Sequence, residues 1–108
     1  MKYNADYFIK KFESIPESKW AIGSFKRKYG QCCALGHCGQ TNFAASEEAN
    51  ALSSLFYMYL NTNPVMINDA VGHLRDDAGK ELMRVDEFGT TPKERILVAL
   101  ECIKGIEL

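Results

Sequence analysis

The chain has 108 residues, 46% of them hydrophobic and 25% charged, a balance that suits one globular domain with a modest core and excludes a disordered segment. Its 13 basic and 14 acidic residues leave a formal charge of −1, so the basic excess expected of a nucleic-acid-binding surface is missing and nucleic acid is not an expected partner. No run reaches the ~18 apolar residues that a membrane span needs, and the polar opening Met1-Lys2-Tyr3-Asn4-Ala5-Asp6 does not read as a signal peptide.

Residues 1–108 are therefore read as a single helical domain. In the first segment Ala5, Phe8, Ile9, Phe12 and Ile15 recur at helical spacing, with Lys10, Lys11 and Glu13 on the opposite face. Pro16 ends this helix or opens a short one, for which Ser14 is a candidate cap and Glu17 its partner three residues on. From Lys19 to Tyr29 Gly23 and the run Lys26-Arg27-Lys28 break any stripe, so a short hairpin or irregular loop is expected. Trp20 within it reads as a core anchor, with ligand stacking as its functional alternative. The three-residue basic run reads as a solvated turn.

Ser46-Glu47-Glu48 carries an N-terminal cap and first-turn acids, and Ala49, Leu52, Phe56, Tyr59 and Leu60 continue as a helical stripe to Asn61-Thr62-Asn63-Pro64. The dense set Phe56, Tyr57, Met58 and Tyr59 wraps more than one face, which predicts a helix that is central or lies at an interface. The following apolar run Val65-Met66-Ile67 reads as a short buried strand. Val71, Leu74, Ala78, Leu82 and Val85 can share one helical face, with Asp76 and Lys80 paired four apart, so a helix or broken helix is predicted despite Gly72 and Gly79. Thr91-Pro92-Lys93-Glu94 then has a capping threonine, proline at the first helical position and a capping-box glutamate. Ile96, Ala99, Leu100 and Ile103 make the buried stripe of the last helix, for which Gly105 is the expected stop. The fold class is mainly α: a compact bundle of three to four helices with a short irregular or β element.

Chemistry concentrates in Gln31-Cys32-Cys33-Ala34-Leu35-Gly36-His37-Cys38-Gly39, which holds three of the four cysteines and one of the two histidines. Without an export signal these cysteines are expected as reduced thiols, in a cytoplasmic protein. One reading makes Cys33, His37 and Cys38 zinc ligands. Structural zinc usually takes two short ligand pairs, however, and the remaining donors, His73 and Cys102, stand alone. A second makes Cys33 a nucleophile with His37 or His73 as base and Asn68 or Asp69 as orienting group. In a third, the cluster lines a small-molecule pocket, with Gly36 and Gly39 letting a ligand approach the backbone. Against all three stands the reading that Cys33, Leu35 and Cys38 are simply buried core residues. Asn68-Asp69 follows an apolar run directly and so can deliver two hydrogen-bonding side chains to the end of a buried element, or else cap the local backbone.

Taken together, Trp20-(x2)-Gly23, Cys33-Ala34-Leu35-Gly36, Ile67-Asn68-Asp69 and Thr91-Pro92-Lys93-Glu94-Arg95-Ile96 leading into Leu100 resemble a family of small uncharacterised proteins from bacteria and their phages. The resemblance implies a small helical domain, encoded by a phage or other mobile element, and implies no catalytic residue. The function expected is a small cytosolic binding or interaction protein that engages a protein partner, itself, or a small ligand through Trp20, Cys33, Gly36, His37, Asn68 and Asp69. The alternative is a thiol enzyme on Cys33, and the third is a zinc domain. No cofactor and no membrane partner are expected.

Overall fold

A computed structural model describes residues 3–27, 30–70 and 88–107, together with the backbone of 73–75 and 81–84. Among the described residues five α-helices carry the architecture: α1 (Ala5–Glu13), α2 (Ala34–His37), α3 (Glu47–Leu60), α4 (Pro64–Asp69) and α5 (Pro92–Glu107). A 3-10 turn spans Glu17–Lys19, and β1 (His73–Arg75) pairs antiparallel with β2 (Glu81–Arg84).

The long helices start where the side chains supply an acceptor for otherwise unpaired first-turn N–H groups. Tyr7 N donates to Asn4 Oδ1 at 2.9 Å, Ala49 N to Ser46 Oγ at 3.0 Å, and Glu94 N to Thr91 Oγ1 at 3.1 Å. Glu94 reaches back one residue further than a simple capping box, accepting from Thr90 N at 3.3 Å. The predicted stripes are the buried ones: Ala5, Phe8, Ile9 and Phe12 on α1, and Ile96, Ala99, Leu100 and Ile103 on α5. On α3, Leu55 joins Ala49, Leu52 and Phe56 in the interior, while Tyr59 and Leu60 are partly buried against it. All five helices contribute to one apolar cluster, in which Trp20 is also buried. Among the described residues no helix is long and apolar enough to cross a membrane.

Four local expectations are corrected. Val65-Met66-Ile67 is helical rather than a strand, because Asn63 caps α4 (Met66 N donates to Asn63 Oδ1 at 2.9 Å) and Pro64 opens it. The chain between α4 and α5 contributes strands, not a helix, in its described part: His73 pairs with Arg84 and Leu74 with Met83. Ala78, Val71 and Val85, on which the helical stripe also relied, lie outside the described residues. Ser14 closes α1 as its C-cap instead of opening the next turn, and its hydroxyl donates to Lys11 O at 2.6 Å. Gly105 does not stop α5, which runs through it to Glu107.

The segment from Lys19 to Arg27 is an irregular loop held by backbone bonds to the residues before α2. Cys32 N donates to Lys19 O, Ala21 N to Cys32 O and Cys33 N to Ser24 O, all between 2.9 and 3.0 Å. These bonds bring Gly23, Ser24 and Phe25 alongside Cys33, although they are about ten positions away in the chain.

A candidate ligand cleft between the Trp20 loop and helices α2 and α4

Asn68, at the end of α4, is fully buried and uses both ends of its amide. Its Oδ1 accepts from Ala34 N at 3.1 Å, and its Nδ2 donates to Ala21 O at 2.8 Å and to Asp69 Oδ1 at 2.7 Å. One side chain thus ties the Trp20 loop to the start of α2. The next residue, Asp69, presents both carboxylate oxygens to Gly23 N at 3.2 Å. Gly23 adopts φ +75°, a conformation that glycine enters without steric cost. Arg95, buried on α5, secures the far side of the same joint. Its Nε donates to Ile67 O at 2.9 Å and its Nη2 to Asn68 O at 2.6 Å, satisfying carbonyls at the C-terminal end of α4.

The consequence is a cleft of about 390 Å³ lined by Gly23, Ser24, Phe25, Lys26, Cys33, Asn42, Val65 and Asp69. Of the residues singled out in the sequence, Cys33 and Asp69 line it directly. Asn68 stands behind Asp69 and orients it. Gly36 does not face the cleft for a ligand's sake: a Cβ there would sit 1.8 Å from Phe25 O, so the absent side chain admits the Trp20 loop instead.

Trp20 and His37 are likewise structural in their contacts. Trp20 meets Phe12 edge-on at a centroid distance of 5.2 Å and His37 at 4.9 Å, and its Nε1 donates to Ile15 O at 3.3 Å. The buried Nε2 of His37 has no hydrogen-bond partner among the described residues. Burial lowers the pKa of this ring below its ordinary value, an effect that the backbone of Lys19 partly opposes.

All four cysteines are unpaired; Cys32, Cys33 and Cys38 are buried and Cys102 is exposed. Burial pushes the Cys33 thiol up, against the N–H groups of Gly36 and Leu35, which favour its thiolate. Cys38 is pushed up to about 12, by burial first and by the negative charge of Glu48 second. Among the described residues no three His, Cys, Asp or Glu side chains converge where they could hold a metal ion, so Cys33, His37 and Cys38 are not gathered into a metal centre. His73 lies on the backbone of β1, and its side chain is outside the described residues.

Ser24, Phe25, Lys26, Asn42 and Val65 were missed as lining residues. Lys26 reads as part of a solvated turn and Val65 as part of a strand, while Ser24, Phe25 and Asn42 carry no pattern of their own. The short motifs did hold a usable signal. Trp20 to Gly23, Cys33 to Gly36, Asn68-Asp69 and Arg95 are scattered over 76 positions, yet they form one connected joint. The chain matches no family model, no curated protein and no solved structure.

Proposed function

We propose that this protein is a small, non-enzymatic binding protein of the cytoplasm whose cleft takes a small polar ligand bearing a protonated amine or a comparable hydrogen-bond donor. The observation that carries this reading is the Asp69 carboxylate, held on the cleft wall by Gly23 N–H and the Asn68 amide before any ligand arrives. Each carboxylate oxygen has two lone-pair sites, and among the described residues Oδ2 accepts from Gly23 N alone, so acceptor capacity remains for a ligand. Lys26, Ser24 and Asn42 supply further polar contacts, and Phe25 and Val65 supply apolar walls, the mixture typical of orienting small-molecule sites. The origin we propose, on the motif combination alone, is a bacterial or phage genome. A protein partner or a second copy belongs to the same reading, supported by the exposure of Phe43, Tyr57 and Met58.

Two features favour binding over thiol catalysis. Burial pushes the Cys33 thiol up, away from the thiolate a nucleophile needs, and the buried Nε2 of His37 has no hydrogen-bond partner among the described residues. A panel of primary amines and amino acids screened by two-dimensional NMR tests the reading. Shifts at Gly23, Ser24 and Asp69 that vanish in Asp69→Asn are expected. If no amine perturbs these resonances, or if Asp69→Asn responds equally, the reading fails. Rapid alkylation of Cys33 near neutral pH would instead support a thiol enzyme.

A further inference from the structure

The cleft holds a charge that recognition of an amine does not use. Lys26 lines the same opening as Asp69, so a cation and an anion border one small cleft. The ion pairs among the described residues join Lys10, Lys11 and Lys104 to Asp6 and Glu48; none takes in Lys26 or Asp69. Two opposite charges therefore share the cleft without closing on each other.

The backbone on either side of Lys26 is fixed. Ser24 O accepts from Cys33 N at 3.0 Å, and Arg27 N donates to Gln31 O at 2.7 Å. The Phe25 carbonyl is seated against Gly36, where a Cβ would not fit. The Arg27 guanidinium is turned back on its own loop, with Nη2 donating to Ile22 O at 2.7 Å. Among the described residues that leaves Lys26 as the cation on the cleft lining.

A ligand bearing an amine alone is drawn by Asp69 and repelled by Lys26 within one opening. A ligand that also bears a carboxylate turns that repulsion into a second attraction, and complementary charges at two points fix its orientation. A volume of about 390 Å³ lies near the low end of the roughly 300–1,000 Å³ span of ligand sites, so the ligand is small. Phe25, Val65 and the buried Cys33 thiol, which packs as a small apolar group, offer the rest of it no ionic partner.

Resting on the amine-binding reading of this cleft, we propose that its ligand is a free amino acid with an apolar side chain. The ammonium sits on Asp69, the carboxylate on Lys26 and the side chain against Phe25 and Val65. The Ser24 hydroxyl and the Asn42 amide each both donate and accept, so they complete the hydrogen bonds of either charged end.

The test is two-dimensional NMR titration at about pH 6.5, where α-amino groups are protonated, with leucine, leucinamide and N-acetylleucine as probes. Leucinamide keeps the ammonium and loses the carboxylate; N-acetylleucine does the reverse. Leucine should bind at least about tenfold more tightly than either, the worth of one charge-assisted hydrogen bond. Lys26 is exposed, so replacing it leaves the core intact. Lys26→Met should bring leucine down to the level of leucinamide, and Lys26→Arg should keep the preference. Lys26→Glu should reverse it, so that leucinamide binds better than leucine. Leucinamide binding as tightly as leucine, or leucine indifferent to Lys26→Met, overturns the zwitterion proposal and leaves the amine reading standing. N-acetylleucine binding as tightly as leucine, or the absence of shifts with all three probes, overturns both. Serine or glutamate binding more tightly than leucine overturns the apolar side chain.

Discussion

Replacing Asn68 by alanine removes a side chain that is fully buried and satisfies two backbone groups from different segments, Ala34 N–H and Ala21 C=O. Each buried group left unpaired costs about 1–3 kcal/mol, so their joint loss is roughly 2–6 kcal/mol. A water entering the vacated space can bridge the two groups and pull the cost toward the lower half, which makes about 3 kcal/mol the expected value. For a chain of this length that lowers Tm by roughly 12 °C or more. Urea unfolding followed by Trp20 fluorescence measures it, and an unchanged m-value would place the effect in the native state. Asn68→Asp separates the two hydrogen bonds. It keeps an acceptor for Ala34 N–H, but turns a carboxylate oxygen toward the Ala21 carbonyl and beside Asp69. It should therefore be less destabilised near pH 4, where the new carboxyl is protonated, than at pH 7. A loss below about 1 kcal/mol for Asn68→Ala would refute the argument that this amide joins the loop to α2.

Glycine-to-alanine changes at two helical positions should have opposite signs. At Gly36 the new Cβ collides with the Phe25 carbonyl at 1.8 Å, and backbone cannot yield as a flexible side chain can, so a loss of about 3 kcal/mol or more is expected in urea unfolding, outweighing the helix-propensity gain of up to ~1 kcal/mol. At Gly105 the Cβ meets nothing within 4 Å, and the same change should stabilise by about 0.5–1 kcal/mol. Stability should also fall on both sides of neutral pH. His37 has a lowered folded pKa, so below pH 6.5 the unfolded chain takes up a proton that the folded chain refuses, and the stability present above 6.5 is lost as pH falls. Cys38 is raised from 9.0 to about 12, so its contribution is complete below pH 9 and declines above it, by roughly 1.4 kcal/mol at pH 10. Urea midpoints between pH 5 and pH 10 read both limbs, and an alkaline limb no flatter in Cys38→Ala would contradict the assignment.

The helices were legible wherever a cap and a stripe agreed. Asn63-Pro64 shows how one signal can be read in the wrong direction. As the end of α3 it left Val65-Met66-Ile67 as an apolar triplet, too short for its period to separate helix from strand. As a cap followed by proline at the first helical position, it opens α4. The stripe Val71, Leu74, Ala78, Leu82, Val85 failed for a different reason. Pairing of His73–Arg75 with Glu81–Arg84 is a contact between separate segments, and a single-segment periodicity cannot report it.

For the site the division is sharper. Residue chemistry by itself put Cys33 and Asp69 among the ligand candidates, but on the same footing as Trp20, Gly36, His37 and Asn68, which do not line the cleft. Only the tertiary structure decided which of these groups face an opening and which hold it in shape. Burial pushes the Cys33 and Cys38 thiols up, His37 packs edge-on against Trp20, and an amide that reads as a cap in the chain joins two segments from the interior. Caps and amphipathic stripes act through neighbours a few residues away, so the chain displays them directly. A cleft wall depends on which distant backbone groups need a partner, and that is settled once the core has brought them together.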